Sequence, residues 1–371
     1  MSKFIISGGG TGGHVYPAIA IAQAIRSREP EADILFIGAL GKLEMEKVPA
    51  AGFRIEGLPV AGFIRRVTWK NLLFPFKLMK SLRLAKKMIR KYNPDVAIGV
   101  GGYASGPTLR VATSSGVPAL IQEQNSFPGV TNRLLGKRVN TICVAYPGMD
   151  RYFPKEKIIL TGNPVRSDLL KLQNHLPEAY THFGLDASKK TLLVMGGSGG
   201  AKTINDSILA LLEQGLPEDV QLLWQTGKYY YEEVFEKSSS IQHPASSILP
   251  FIDRMDLAYS CADLVVSRAG AIAISELCLI GKPVILIPSP NVAEDHQTKN
   301  ARALVEQDAA VMVSDKEAST VLPVRIKEMF GEDELRERLG FNIRKLAIPD
   351  AANRIAEEAL KLVGTKAGGH G

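Results

Sequence analysis

The chain has 371 residues, 45% of them hydrophobic and 22% charged, and its formal net charge is +7. This length exceeds what one hydrophobic core ordinarily organises, so we expect two domains. Its first apolar run breaks into glycines at once, unlike a signal peptide, and no apolar stretch approaches the roughly 18 residues of a spanning helix. Cys143, Cys261 and Cys278 are odd in number and lie in apolar sequence. These features predict a globular protein with buried free thiols in a reducing cytoplasm, without disulfides or a cysteine metal site.

Short apolar runs alternate with helical patterns along the whole chain. We predict buried parallel strands at residues 4–7, 34–37, 96–100, 119–122, 141–144, 191–195, 220–225, 264–267 and 284–287. Helical patterns cover, among others, residues 18–28 and 78–91. Strand alternating with helix is typical of βαβ units, so the fold class is α/β with doubly wound parallel sheets.

The two halves of the chain begin with the same order of elements. "KFIISGGGTGGHVYPAIAIAQAI" opens the first half and "TLLVMGGSGGAKTINDSILALL" opens the second, each a strand, a glycine loop and a helix. The polar stretch 162–190 is the predicted junction. Two Rossmann-like domains facing each other would leave a cleft where both glycine loops meet, at the carboxyl ends of strands, where open α/β sheets bind ligands.

The glycine loops predict anion sites, because glycine lets backbone N–H groups approach a ligand and the following helix points its positive end there. Gly8, Gly10 and Gly13 satisfy G-x-G-x-x-G, but strand 34–37 ends in Gly38-Ala39 without the acidic residue of a dinucleotide site. "GGSGGAKT" (196–203) narrowly misses a P-loop. A third loop, "GGYASGP", follows strand 96–100. Any single loop is equally compatible with a tight turn, whereas three together favour two diphosphates, one per domain.

The stretch 57–94 contains no acidic residue and many Lys and Arg residues interleaved with bulky apolar ones. This mixture favours a face that lies on anionic lipid headgroups. The residues predicted for that membrane face are Trp69, Leu73, Phe74, Phe76, Lys77 and Lys80. Two alternatives remain open: an ordinary amphipathic helix with solvated lysines, and a surface for nucleic acid, which the aliphatic content disfavours.

Seven motifs occur in an order that resembles the MurG family, the N-acetylglucosaminyltransferases of bacterial peptidoglycan synthesis (glycosyltransferase family 28 type). They are "GGGTGGHVYPA", "GGYASGP", "QEQNSFPGVTN", "GNPVR", "GGSGGA", "SRAGAIAISE" and "DHQTKNA". The resemblance implies the GT-B fold, two Rossmann-like domains facing across a cleft. It places the acceptor and membrane-binding domain at 1–163, the UDP-GlcNAc-binding domain at 164–340, and a returning C-terminal helix with a disordered tail at 341–371. Gln122 departs from the His that some members carry.

The resemblance implies an inverting hexosyltransferase that moves GlcNAc from UDP-GlcNAc to the C4 hydroxyl of MurNAc-pentapeptide on undecaprenyl diphosphate. This step converts lipid I into lipid II and serves cell wall biogenesis, cell shape and cell division. The expected location is peripheral, on the cytoplasmic face of the cell membrane, with other cell-wall synthesis proteins as further partners and no nucleic acid. The alternative on the same fold is a UDP-GlcNAc 2-epimerase, which would need no lipid-binding surface.

The family's functional residues carry over onto matching positions of this chain. Those matched to UDP-GlcNAc are Thr11, Gly12, Gly13, Asn125, Arg166, Ser198, Ile252, Ala271, Ile272, Ala273, Ile274, Ser275, Glu276 and Gln297. The implied roles are a uracil contact through the Ile252 backbone, ribose hydroxyls on Glu276 and GlcNAc hydroxyls on Gln297. Glu276 also fits a charge favoured at a helix N-terminus. The loops assigned to the acceptor diphosphate contain Gly9, Gly10, Gly102, Tyr103 and Ser105.

His14 is the predicted general base, with Glu123 in reserve. A helix N-terminus disfavours an imidazolium, which keeps the ring neutral and able to accept the proton of the acceptor hydroxyl. A histidine that only hydrogen-bonds backbone or phosphate is the alternative. No Asp-x-Asp triplet suits a metal-bridged diphosphate, so we expect no metal or other cofactor for donor binding.

Overall fold

The computed structural model describes residues 1–60, 74–165, 169–170, 172–197, 199–241, 246–292 and 295–365. The chain forms two compact units. Unit 1 comprises Met1–Val165 and Ile348–Gly371, and unit 2 comprises Arg166–Ala347. The chain therefore passes between the units at 165–166 and again at 347–348, where the predicted boundaries are 163–164 and 340–341.

Unit 1 contains a parallel sheet of seven strands. They are β1 Lys3–Gly8, β2 Asp33–Ala39, β3 Arg54–Leu58, β4 Val96–Gly101, β5 Ala119–Glu123, β6 Thr141–Val144 and β7 Ile158–Leu160. Their order across the sheet is β3-β2-β1-β4-β5-β6-β7, and every pairing is parallel. The central strands are continuous apolar runs because helices cover both faces of the sheet.

In the part of unit 1 that the structure describes, helices connect these strands. They are α1 Gly12–Arg28, α2 Glu44–Ala50, α3 Phe74–Tyr92, α4 Ser105–Ser114, α5 Val130–Gly136 and, from the end of the chain, α14 Ala351–Lys361. Helix α1 begins six residues before the predicted 18–28, because the glycines that hid its start in the sequence form its first turn.

Unit 2 repeats the arrangement with six parallel strands. They are β8 Lys190–Met195, β9 Val220–Gln225, β10 Ser246–Leu249, β11 Leu264–Ser267, β12 Val284–Leu286 and β13 Val311–Met312, in the order β10-β9-β8-β11-β12-β13. Its helices are α6 Pro177–Phe183, α7 Lys202–Glu213, α8 Tyr231–Ser239, α9 Met255–Cys261, α10 Ala271–Ile280, α11 His296–Val305, α12 Ala318–Gly331 and α13 Asp333–Lys345. Both units thus follow the strand order of a Rossmann domain, 3-2-1-4-5-6, which confirms the predicted fold class.

All nine predicted strands are present, and the four further strands among the described residues are the edge strands of the two sheets: β3, β7, β10 and β13. Edge strands contact a neighbour on one side only, so they need no continuous apolar run. In β3, for example, exposed Arg54 and Glu56 alternate with half-buried residues. The three cysteines are buried free thiols, as predicted.

Helix α14 packs on α1 and closes one face of the unit 1 sheet. Ile355, Ala356 and Ala359 are fully buried in the same apolar cluster as Ile21 and Ile25 of α1. At the rim, Arg28 donates to Asn353 Oδ1 at 3.0 Å and forms an ion pair with Glu357. The apolar contact supplies most of the stability, since an exposed ion pair contributes little.

We expect Ile355→Ala to lower the free energy of unfolding by about 3 kcal/mol, because it leaves a cavity between α14 and α1. Urea denaturation followed by circular dichroism measures this change. The matched control is Arg354→Ala on the exposed side of the same helix, for which we expect a change below about 0.5 kcal/mol. Equal effects of the two substitutions would show that α14 is not held by its apolar face.

Candidate functional site

The first glycine loop of unit 1 connects β1 to α1 and positions His14. The carbonyl of Thr11 accepts hydrogen bonds from the N–H groups of His14 and Val15, both at 3.1 Å, so the turn at Thr11 starts the helix. Thr11 Oγ1 lies 3.3 Å from His14 Nδ1. Thr11 and Gly13 are exposed, whereas His14 and Gly12 are half-buried. The loop therefore places the His14 imidazole at the start of α1, beside the exposed Thr11 and Gly13.

The second glycine loop follows β4 and packs directly against the first. At Gly102, where φ is +85°, a Cβ would lie 2.2 Å from the carbonyl oxygen of Gly9. At Gly101, where φ is +91°, a Cβ would lie 2.9 Å from His14 Nε2. Only glycine allows these two approaches. The backbones of the two loops are therefore in direct contact, and the His14 ring lies over Gly101.

The surroundings of His14 favour a neutral ring that can accept a proton at Nε2. When Nδ1 carries the ring proton and donates to Thr11 Oγ1, Nε2 keeps its lone pair and can accept a proton. The position in the first turn of α1 disfavours the charged ring. On the second glycine loop, Tyr103 is 52% exposed, while Ser105 at the start of α4 is fully buried and its hydroxyl has no hydrogen-bond partner among the described residues.

Glu123, the reserve base, is held inside unit 1 at the end of β5. Its carboxylate accepts hydrogen bonds from the N–H groups of Asn125 and Gly129, at 3.0 and 3.1 Å, and from the amides of Asn125 and Asn132. Burial raises the pKa of Glu123, and these hydrogen bonds oppose that shift. The contacts favour a role for Glu123 in shaping the turn 124–129 that carries half-buried Asn125. Gln122 is fully buried, and its amide donates to Asn163 Oδ1 at 3.0 Å.

Unit 2 contains a cavity of about 550 Å³ at the carboxyl ends of its central strands. Its lining includes the glycine loop after β8, the loop after β10 and the first turns of α7, α10 and α11. The predicted residues that line it are Ile252, Ala273, Glu276 and Gln297. Ala271 and Ile274 are buried on the core side of α10, while Ile272 and Ser275 are half-buried and outside the lining. Arg166 and Ser198 lie outside the described residues.

Glu276 faces the cavity from the middle of α10. No acidic residue stands in the first turn of this helix, so the alternative of a charge favoured by the helix dipole does not explain it. The hydroxyl of Tyr259, which is 1% exposed, donates to Glu276 Oε2 at 3.0 Å. Tyr259 therefore fixes one carboxylate oxygen of Glu276 and orients the group, a contact that the sequence around Tyr259 does not reveal.

Two glutamines orient the remaining polar contacts of the cavity. Gln297 Oε1 accepts the N–H of Ser289 at 2.8 Å, which leaves its NH₂ group as the donor toward a ligand. Gln225 Oε1 accepts the N–H of Ile252 at 2.9 Å, and its Nε2 donates to the carbonyl of Gly197 at 3.1 Å. Because the N–H of Ile252 already donates to Gln225, the carbonyl of Ile252 is better placed than its N–H to contact a nucleobase.

The cavity also contains charged residues to which sequence reasoning assigned no role. Arg268, within the "SRAGAIAISE" motif, donates to the carbonyls of Ile287 and Pro288 and forms an ion pair with Asp315. Thr203 Oγ1 donates to the same carboxylate at 3.1 Å. Lys202 bonds Asp206 one turn along α7 at 2.7 Å. The signal available in the sequence was an arginine directly after a buried strand.

The described residues contain neither a metal-ligating cluster nor a membrane-spanning helix. No group of three or more His, Cys, Asp or Glu side chains there is arranged to hold a metal ion. Within the same residues, no helix combines the length and the apolar character needed to cross a membrane.

Comparison with known proteins identifies the family to which this fold and site belong. Residues 4–144 match the glycosyltransferase family 28 N-terminal domain, and residues 191–355 match the family 28 C-terminal domain. The crystal structure of MurG from Acinetobacter baumannii is similar with a TM-score of 0.79 and 26% identity, covering 97% of this chain and 100% of that one. UDP-GlcNAc 2-epimerase from Neisseria meningitidis, at 13% identity and a TM-score of 0.68, shares the fold alone. The two family 28 matches, together with the fold, define a glycosyltransferase of the GT-B class.

Curated relatives identify one family of transferases within the GT-B class. One from Parabacteroides distasonis is 55% identical over 98% of this chain and 99% of its own length, and one from Bacteroides fragilis is 53% identical over 97% and 95%. Both are named UDP-N-acetylglucosamine–N-acetylmuramyl-(pentapeptide) pyrophosphoryl-undecaprenol N-acetylglucosamine transferase. The chain belongs to this family of transferases, and the resemblance to the MurG family is confirmed.

We expect Tyr259→Phe to weaken UDP-GlcNAc binding about fivefold, because losing one hydrogen bond of about 1 kcal/mol frees the Glu276 carboxylate. Isothermal titration calorimetry measures the affinity. For a UDP-GlcNAc analogue with 2′-deoxyribose the loss of affinity should be smaller, since the contact predicted for Glu276 is to the ribose hydroxyls.

Tyr229→Phe is the matched control, because Tyr229 is 84% exposed. Equal losses for the ribose and deoxyribose ligands would contradict a role of Tyr259 in directing Glu276.

Proposed function

We propose that this protein transfers GlcNAc from UDP-GlcNAc to the C4 hydroxyl of MurNAc-pentapeptide on undecaprenyl diphosphate, converting lipid I into lipid II in peptidoglycan synthesis. The observation that carries the proposal is identity above 50% to transferases of this name over nearly the full length of both chains. The epimerase alternative is less favoured, because the similarity to a 2-epimerase is at 13% identity.

The donor binds in the cavity of unit 2. Glu276, fixed by Tyr259, accepts the ribose hydroxyls, and the NH₂ group of Gln297 donates to the GlcNAc hydroxyls. The carbonyl of Ile252 receives the N–H of the uracil ring. The diphosphate lies at the glycine loop 196–200, where backbone N–H groups and the start of α7 favour negative charge. Arg166 and Ser198 remain predicted contacts to the same ligand.

His14 acts as the general base of an inverting displacement. The C4 oxygen of the acceptor forms a bond to the anomeric carbon while the bond from that carbon to the UDP oxygen breaks. The proton of the C4 hydroxyl passes to His14 Nε2, and UDP leaves with its charge stabilised by the loop 196–200. Thr11, Gly12, Gly13 and Asn125 are the proposed contacts of unit 1 to the transferred sugar. Donor binding needs no metal in this mechanism.

The acceptor diphosphate binds at the second glycine loop and the start of α4, with Gly102, Tyr103 and Ser105 as contacts and Gly9 and Gly10 packed behind. The buried hydroxyl of Ser105, which has no partner among the described residues, is available as a donor. A helix N-terminus favours such an anion.

The beginning of α3 supports the membrane face. Its middle is an ordinary amphipathic helix, since Ala85 and Ile89 are buried between exposed lysines and arginines. Near its start, however, exposed Lys77 and Lys80 flank Leu78 and Met79, which are 37% and 50% exposed. Basic and apolar side chains exposed together suit anionic headgroups. Trp69, Leu73 and the side chains of Phe74 and Phe76 lie outside the described residues. The proposed location is the cytoplasmic face of the cell membrane, with partners among cell-wall synthesis proteins.

The proposal is tested by incubating the protein with labelled UDP-GlcNAc and a short-chain lipid I analogue in the presence of EDTA. The expected product is a β-linked disaccharide on the lipid analogue. Conversion of UDP-GlcNAc into another nucleotide sugar without transfer would support the epimerase instead. Absence of any product, even with added magnesium, would refute the enzymatic proposal.

We expect His14→Ala to lower kcat for transfer by about 10² to 10⁴, the usual contribution of a general base. The affinity for UDP-GlcNAc should stay within about twofold of wild type, because the donor cavity lies in unit 2. Steady-state transfer kinetics and calorimetry measure the two quantities. His182→Ala, an exposed histidine of α6, is the control. Normal transfer by the His14 variant would overturn the assignment of the base.

We expect replacement of Trp69, Leu73 and Phe74 by serine to weaken binding to liposomes that contain anionic lipid, because the segment loses its apolar contact with the acyl region. Sedimentation with liposomes measures the bound fraction. Substituting Val324, which is 51% exposed in unit 2, is the control. Unchanged sedimentation of the triple variant would eliminate this segment as the membrane face.

A further inference from the structure

A buried carboxylate lies beneath the first glycine loop and takes no part in the mechanism above. Glu44, the first residue of α2, has 0% exposure. Its Oε2 accepts the N–H of Gly10 at 2.8 Å, and its Oε1 accepts the N–H of Ala39 at 2.9 Å. Among the described residues no Lys, Arg or His forms an ion pair with it. Two main-chain amides are therefore what compensates this carboxylate for the loss of water.

These contacts change what the first glycine loop can bind. In dinucleotide-binding Rossmann domains the amides of this loop hold a pyrophosphate. Here the Gly10 amide already donates to Glu44, and a Cβ on Gly9 would lie 2.1 Å from Glu44 Oε1. The carboxylate thus contacts the loop backbone directly. A diphosphate brought to Gly10 would find its hydrogen bond taken and a negative charge behind it.

The equivalent loop of unit 2 is built differently. The side chain that bonds it is the neutral amide of Gln225, which donates to the carbonyl of Gly197 and leaves the loop's N–H groups alone. The carboxylates that line the cavity are held elsewhere, Glu276 by Tyr259 and Asp315 by Arg268. Among the described residues of this loop, no N–H donates to a carboxylate. Two loops with similar sequences therefore differ in charge and in available donors.

Glu44 also connects to His14 through the packing of the two glycine loops. It fixes the Gly9–Gly10 backbone from below, and Gly9 in turn lies against Gly102. The neighbouring Gly101 supports the His14 ring. A shift of the Gly9–Gly10 backbone would consequently move Thr11 and His14 relative to Gly101.

We propose that Glu44 is a positioning residue, whose carboxylate occupies the Gly10 amide in place of a nucleotide diphosphate. This contact prevents a nucleotide diphosphate from binding to the first glycine loop of unit 1. It also holds that loop so that His14 is correctly placed. The role in placing His14 rests on the proposed function, whereas the closure of the loop does not.

Glu44→Gln tests the placement of His14. The substituted amide keeps one oxygen but brings an NH₂ group against one of the two main-chain donors. We expect kcat for GlcNAc transfer to fall about 10- to 100-fold, as for a displacement near 1 Å, while the KM and Kd for UDP-GlcNAc stay within about twofold. Glu46→Gln, an exposed carboxylate on the same helix, is the matched control and should leave all three unchanged.

A loss of UDP-GlcNAc binding in parallel with kcat, or a kcat within twofold of wild type, would overturn the positioning role. Gly9→Ala provides a second variant, because its methyl group would displace the carboxylate without removing the charge. The same fall in kcat at unchanged donor affinity is expected.

Calorimetric titration of the wild-type protein with UDP tests the closure of the loop without any catalysis. We expect one UDP per chain, in the cavity of unit 2, and a second site abolished by substitutions at Gly10 or Thr11 would overturn the proposal. If wild type transfers no GlcNAc, the proposed function fails, while the stoichiometry of UDP still decides whether Glu44 closes unit 1.

Discussion

The close packing of two glycine loops is the constraint on which unit 1 depends. Gly9 and Gly102 approach so closely that no side chain fits between their backbones, and Gly101 leaves just enough space for the imidazole of His14. Each loop ends a strand of the same sheet, so the parallel pairing of β1 with β4 brings the loops together. The neighbouring helices then start at this point, and their N-termini set the electrostatics of the site. The position of the predicted base is therefore a property of the backbone.

The two units share a strand order but differ in how they treat their glycine loops. Unit 2 leaves a cavity at the loop and directs its side chains with neutral or paired groups, such as Gln225 and the Arg268–Asp315 pair. Unit 1 fills the space beneath its first loop with Glu44. The same architecture thus provides an open cavity, the proposed donor site, in one unit and a rigid support for the proposed catalytic side chain in the other.

The sequence predicts the central strands and the glycine loops well, because full burial and close backbone approach restrict composition strongly. It predicts edge strands poorly: β3 alternates exposed and half-buried residues, and β13 has only two residues. The candidate site divides in the same way. Glycines, His14 and Glu276 stand in recognisable motifs, whereas Tyr259, Gln225 and Glu44 act through contacts with residues 17 to 34 positions away. Such partners become visible only when the sheet topology is known.

The return of the chain to unit 1 has a consequence for biosynthesis. Residues 166–347 are inserted between the two parts of unit 1, and α14 supplies Ile355, Ala356 and Ala359 to the cluster that contains Ile21 and Ile25. A ribosome that has released the first 165 residues has therefore made a sheet with one apolar face only partly covered, by α1 and α2 without α14. That face stays available to chaperones, or to other nascent chains, until unit 2 has been synthesised and residue 361 has emerged. Because α14 is translated after unit 2, the packing of unit 1 is completed only once unit 2 has been synthesised.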